Sequence, residues 1–204
     1  MQICVCGWYF NERFLDLLTD ITKEYPVTII ANRGELPKKY EGVFNYHVRE
    51  NRGLEYGAYD YFLHNEWSGD DVLFMHDDIT IQPIMKNYEI INPILLFKTV
   101  ANFKQDLVYV FQNDIDRQDC FGIHGRVMFS SKRFLEDLKF SGGFPWDKNN
   151  DGHTIGPTPK YCHHYNWAVE ELKKIWEVMM IGKNIVVDQV IIPAFFYHIR
   201  GRQY

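Results

Sequence analysis

The sequence predicts an α/β fold with a mixed, mostly parallel central sheet flanked by helices. Three observations lead there. Short apolar runs alternate with amphipathic stretches through the first half of the chain. The amphipathic stretches begin at capping residues and stop near Pro or Gly. With 204 residues, 46% hydrophobic and 24% charged, the chain fits a single domain whose core needs no disulfide support.

Each element follows in order. Ile3 to Tyr9 is an apolar run of the kind a buried parallel strand shows. Asn11 caps a helix whose apolar stripe is Phe14, Leu15, Leu17, Leu18 and Ile21, and Pro26 closes it. Val27 to Ala31 is the second strand, Phe44 to Val48 a short third, Leu54 to Trp67 a helix, and Asp71 to His76 a fourth strand. Ile84 to Phe97 reads as a helix interrupted by Pro93. Leu107 to Phe111 is a strand running into the polar turn Gln112-Asn113-Asp114, and Gly122 to Ser130 is another. Ser131 caps a helix carrying Phe134, Leu135 and Leu138. Ser141 to Pro159 is a long aperiodic loop, Tyr165 to Met180 a helix, and Ile185 to Tyr197 one or two last strands. Residues 1–204 form one domain, with a ligand-binding half to about residue 100 and a second half beyond it.

Charge and cysteine usage exclude several function classes. The net charge is −5 with both signs interspersed, so no basic groove marks a nucleic-acid or anionic-membrane partner. No apolar run approaches the roughly 20 residues of a membrane span. The opening Met1 to Gly7 lacks the basic and apolar regions of a signal peptide. Four cysteines make no secretory framework, and a reducing cytoplasm is the expected compartment.

In a largely parallel sheet, ligands lie beyond the carboxyl ends of the strands. The ends to inspect are Gly7-Trp8-Tyr9-Phe10, Asn32-Arg33, His76-Asp77-Asp78 and Gln112 to Asp116. Two adjacent carboxylates after the apolar strand Val72 to Met75 repel one another unless a cation neutralises them. A hard divalent ion, Mg²⁺ or Mn²⁺, shared with a diphosphate meets that need. Asp78 or Thr80 can equally cap the segment that follows. Upstream, Asn51-Arg52-Gly53-Leu54-Glu55-Tyr56-Gly57-Ala58-Tyr59-Asp60 opens a helix with two glycines about one turn apart. Such glycines let a diphosphate or sugar approach the backbone, and Arg52 offsets phosphate charge. Close helix packing at Gly57 explains the glycines as well, though not the arginine.

These segments, in this order and spacing, resemble GT-A-fold glycosyltransferases, most of all the glycosyltransferase domains of large algal viruses that build capsid glycans. In that group a first strand leads to the base pocket, an Asn-x-Gly segment precedes a helix, and the next strand ends in a DxD-type motif. Here His76 occupies the first position of that motif, a departure from the pattern. The resemblance implies Asp78 as metal ligand, Asp77 in support toward ribose, and His198 near the chain end completing the metal site. It implies a UDP-sugar donor, with the base near Gly7, Trp8, Tyr9, Asn32 and Arg33. The donor's remaining contacts would come from Asn51, Arg52, Gly53, Tyr56, Gly57, Asp60, His76 and Arg200. Arg202 is a further candidate for the diphosphate.

The second half would hold a glycan acceptor, through Gln112 to Asp116, His124-Gly125-Arg126 and Trp146-Asp147. Asp78, Asp114 and Glu170 are the candidate catalytic residues, with Glu171 an alternative to Glu170 as the base an inverting enzyme needs. Family likeness implies transfer of a hexose or deoxyhexose with retention, in the host cytoplasm if the protein is viral. The alternative is a non-catalytic sugar- or nucleotide-sugar-binding domain on a decayed transferase fold. An aspartyl phosphatase is excluded because its nucleophile would fall on His76. A zinc module built from Cys4, Cys6, Cys120, Cys162, His163 and His164 fails for want of a C-x₂-C knuckle.

Overall fold

The computed structural model describes residues 1–77, 79–81, 85–86, 89–90, 97–98, 101–102, 104, 107–113, 121–140, 142–144, 187–189 and 196–198. The strands are β1 (Gln2–Gly7), β2 (Val27–Ala31), β3 (Asn45–Val48), β4 (Val72–His76), β5 (Ile79–Ile81), β6 (Met85–Lys86), β7 (Glu89–Ile90), β8 (Leu107–Asn113), β9 (Phe121–Ser130), β10 (Val187–Gln189) and β11 (Phe196–His198). The longer helices are α1 (Glu12–Ile21), α2 (Leu54–Asn65) and α3 (Lys132–Phe140).

Seven strands form the central sheet in the order β10-β8-β9-β4-β1-β2-β3. Its pairs are parallel except where β9 meets β4 and β8, so of these seven strands β9 alone runs against the rest. The chain steps from β1 outward to β2 and β3, then returns to lay β4 on the other side of β1. That return makes the β1/β4 boundary a topological switch point, where a crevice opens beyond the carboxyl ends of an α/β sheet.

Side-chain alternation sorts the two faces. Ile3, Val5, Ile29, Leu73 and Met75 pack with Phe14, Leu15, Leu18 and Ile21 of α1. Cys4, Cys6, Ile30, Val72 and Phe74 point the other way, against Tyr59, Phe62 and Leu63 of α2 and Phe134, Leu135 and Leu138 of α3. Leu15, Leu18, Leu63, Leu135 and Leu138 have no exposed surface, and each such leucine contributes about 2 kcal/mol of burial. Asn11 Oδ1 accepts the Phe14 N–H at 3.3 Å and Ser131 Oγ that of Phe134 at 3.1 Å, so both predicted caps form.

Two expectations are corrected. The stretch read as a helix from Ile84 to Phe97 contains a β6–β7 pair instead, with Lys86 opposite Glu89. Short apolar clusters carry no reliable period, and cross-strand pairing decided this one. Gln112 and Asn113, read as a turn, extend β8 and pair with Gly122 and Phe121 of β9. The predicted last strands are two, β10 beside β8 and β11 beside β5. Among the described residues no helix is long and apolar enough to cross a membrane. The predicted helix from Tyr165 to Met180 lies outside the described residues.

Candidate functional site

The carboxyl ends of β1, β2, β3, β4 and β8 share one edge of the sheet, and the site is built there. β1 ends in Gly7, after which the chain turns sharply into α1 through Phe10, whose φ is +52°. Asp77, directly beyond β4, holds that turn. Its Oδ2 accepts the backbone N–H groups of Trp8 at 2.7 Å, Tyr9 at 2.6 Å and Phe10 at 2.5 Å. The residue is 1% exposed, and its own N–H donates to the Cys6 carbonyl at 3.2 Å, extending the β1/β4 ladder. A buried carboxylate is costly unless hydrogen-bonded, and three convergent N–H groups meet that cost. Where sequence reasoning gave Asp77 a part toward ribose, the structure turns this oxygen inward, onto the loop.

The loop presents Trp8 and Tyr9 outward, Tyr9 being 41% exposed. The Arg33 guanidinium lies over the Trp8 ring, 5.5 Å from its centroid, a cation–π contact between the ends of β1 and β2. Gly7 and Gly34 meet the Phe10 ring: a Cβ on Gly7 would stand 2.9 Å from Phe10 Cζ, and one on Gly34 3.1 Å from Phe10 Cδ2. Gly7 therefore gives room to Phe10 from within the protein.

Beyond β3 the chain forms the turn Arg49 to Gly53 before α2. Gly53 has φ +70° and Leu54 φ +48°, both left-handed. Asn32 spans to this turn from β2, donating Nδ2 to the Leu54 carbonyl at 2.7 Å. Arg52 is exposed and forks onto Glu50, with Nε 2.8 Å from Oε2 and NH2 donating to Oε1 at 3.2 Å. Asn51 is half-buried beside it.

Within α2, three sequence-predicted donor contacts face the protein interior. Tyr56 is buried, its ring packed on Tyr59 and Phe144. A Cβ on Gly57 would collide with the Arg52 carbonyl, so the space left by the missing side chain is filled by the chain itself and not left for a ligand. Asp60 is buried too, its Oδ1 accepting the Phe144 N–H at 2.8 Å and lying 3.5 Å from His64 Nε2. The apolar and small residues of a helix that faces a sheet are legible as such; which of them reach a strand end is not.

Two residues that sequence reasoning passed over belong to this edge. Glu55 is a buried carboxyl in the first turn of α2, where the helix dipole favours negative charge. Arg49 is half-buried, and burial, ahead of any neighbour, pulls its guanidinium below the ordinary arginine value. The signal for Arg49 was its place directly after a short strand, on the edge where polar ends gather.

His76 ends β4 and is half-buried. β5 follows at once and pairs antiparallel with β11, in the register Ile79 with His198, Thr80 with Tyr197, and Ile81 with Phe196. His198 is thus brought opposite the residue that follows Asp78 in the sequence. On the β8/β9 side the register shifts between Tyr109 and Val110, and His124, Gly125 and Arg126 fall at that irregularity. Asp78, Asp114, Glu170 and Arg200 lie outside the described residues, as do Asp116, Trp146, Asp147, Glu171 and Arg202. Among the described residues no three His, Cys, Asp or Glu side chains converge as a metal-binding group.

No protein-family model matches the sequence, and no curated protein is significantly similar to it. Among solved structures, the apo form of glycosyltransferase GlyE from Streptococcus pneumoniae TIGR4 aligns at 8% identity with a TM-score of 0.41. A second structure of GlyE from the same organism aligns at 9% with a TM-score of 0.40. Each alignment covers 93% of this chain and 45% of the other, so the chain spans less than half the length of these proteins. Likeness of this degree carries no functional argument, which rests on the residues themselves.

Proposed function

We propose that this chain is a metal-dependent glycosyltransferase domain that transfers a hexose or deoxyhexose from a UDP-sugar to a glycan acceptor with retention. The observation that carries the reading is the pairing of β11 with β5. His198 stands opposite Ile79 in that pair, which brings the backbone at His198 beside the residue that follows Asp78 in the sequence. A hard divalent cation accepts carboxylate oxygen and imidazole nitrogen, and Asp78 and His198 are the residues that would hold it. When bound, the ion supplies charge neutralisation for a departing diphosphate.

The remaining tasks fall to the chain's own groups. Trp8, with Arg33 over its ring, and Tyr9 offer flat surfaces at the β1/β2 end for a base. Asn32 orders that corner from beneath. Asn51 and the Gly53 backbone offer hydrogen bonds toward a diphosphate, and Arg52 and Arg200 offer positive charge. Tyr56, Gly57 and Asp60 support this surface from within α2, and His76 and Asp77 support it from β4. Asp114, next in sequence after β8, and Glu170 serve the acceptor side. A retaining reaction needs the leaving group stabilised more than it needs a general base, which suits a site where arginines and a divalent ion would face the diphosphate.

Calorimetric titration with a series of nucleotide-sugars, with and without Mn²⁺, tests the proposal. Mn²⁺-dependent binding of one UDP-sugar, with slow donor hydrolysis, is the expected result. Sugar binding indifferent to both metal and nucleotide would overturn it in favour of a non-catalytic sugar-binding domain.

A further inference from the structure

Arg49 joins three pieces of chain at the site edge. Its backbone N–H donates to the Ala31 carbonyl at 2.9 Å, continuing the sheet beyond β3. Its NH1 donates to Asn32 Oδ1 at 2.8 Å, and its NH2 donates to the Arg52 carbonyl at 2.8 Å. Asn32 then donates to the Leu54 carbonyl at 2.7 Å. One guanidinium and one amide therefore grip the chain on both sides of Gly53. The gripped backbone is the left-handed pair Gly53 (φ +70°) and Leu54 (φ +48°), a conformation a leucine keeps only where its surroundings impose it.

Residue 57 completes the arrangement. A Cβ there would stand 2.9 Å from Arg49 NH1 as well as colliding with the Arg52 carbonyl, so only glycine lets donor and acceptor meet. The planar fork of arginine reaches two acceptors at a fixed angle, whereas a lysine ammonium is a point charge on a flexible stem.

We propose that Arg49 is a positioning residue of the donor site: with Asn32 and Gly57 it locks the turn Asn51 to Leu54 in the shape that presents α2's first turn to a diphosphate. The ligand's identity rests on the transferase reading; the lock does not. Arg49 itself touches chain and not substrate in this role.

The test uses the full chain with Arg49→Lys and Arg49→Met, and two readouts. Amide hydrogen exchange over Gly53 to Gly57, without ligand, should accelerate about tenfold or more in both variants. KM for the UDP-sugar should rise about tenfold or more with kcat changed less, and Arg49→Lys should not rescue it. Gly57→Ala, which pushes on the same turn without altering charge, should reproduce both effects and covers the case in which Arg49→Met fails to fold. Wild-type exchange and KM in Arg49→Lys would overturn the proposal. If the unmodified chain neither binds nor turns over any nucleotide-sugar while exchange still accelerates, the lock stands and the transferase reading fails.

Discussion

The carboxylate of Asp77 accepts the Phe10 N–H at 2.5 Å, although the two residues stand 67 positions apart. Phe10 sits at φ +52° with its ring buried among Gly7, Gly34 and Tyr46. The end of β4 thereby fixes the loop that leaves β1, at the β1/β4 boundary where the winding direction changes. A left-handed phenylalanine is unfavourable by itself, and the ring's burial together with the Asp77 contact keeps it in place.

Adjacent carboxylates should therefore separate cleanly by substitution. Asp77→Ala leaves three inward N–H groups without their acceptor and is expected to lower unfolding free energy by about 3 kcal/mol, read by urea denaturation. Asp78→Asn should leave the melt near that of the unmodified chain yet abolish Mn²⁺-dependent donor binding, because Asn caps as well as Asp but cannot supply the charge. Retained metal-dependent affinity in Asp78→Asn would remove the metal site from the proposal.

Gly57→Leu gives a second test, and the structure sets its direction. The Arg52 carbonyl occupies the Cβ position, so any side chain must push the turn away from α2. We expect a loss of about 3 kcal/mol or more, seen as a clear fall in melting temperature, with donor affinity falling alongside. A variant with unchanged melting temperature and weakened donor binding would restore Gly57 to direct ligand contact.

For the donor, a UDP-sugar should bind more tightly than any GDP- or CMP-sugar. Trp8→Ala should weaken that binding about tenfold by removing a stacking surface, while leaving the melt little changed. Competition titration with free UDP checks both statements, and tighter binding of a GDP- or CMP-sugar would sink the assignment.

The buried thiols give a pH dependence with a definite sign. Cys4 is pushed well above its usual value by burial, and Cys6 by burial first and then by the carboxylates of Glu55 and Asp77. Below the ordinary thiol value both states are protonated and this contribution is fully present. As pH rises past it the unfolded chain ionises first, so stability falls with rising pH. Urea denaturation across alkaline pH should show that slope, flatter in Cys6→Ala, and alkylation of both thiols should await unfolding.

By itself the sequence determined what depends on near neighbours. Val27 to Ala31 is a strand with the predicted bounds, Asn11 and Ser131 cap their helices, and Phe134, Leu135 and Leu138 face inward because helical spacing places them together. The polar strand ends were legible for the same reason: each is a local break in an apolar run. What the tertiary structure decided has partners far along the chain. Tyr56 and Asp60 had the residue types of ligand contacts, but Phe144 meets both, its ring on Tyr56 and its N–H on Asp60. Arg49 acquired its place only when β2 and β3 came side by side and brought Asn32 within reach. His198 met Ile79 through a strand pairing that no local pattern announces. Sequence period reports which face of an element is apolar; which distant backbone or side chain fills that face is settled only when the sheet closes the chain upon itself.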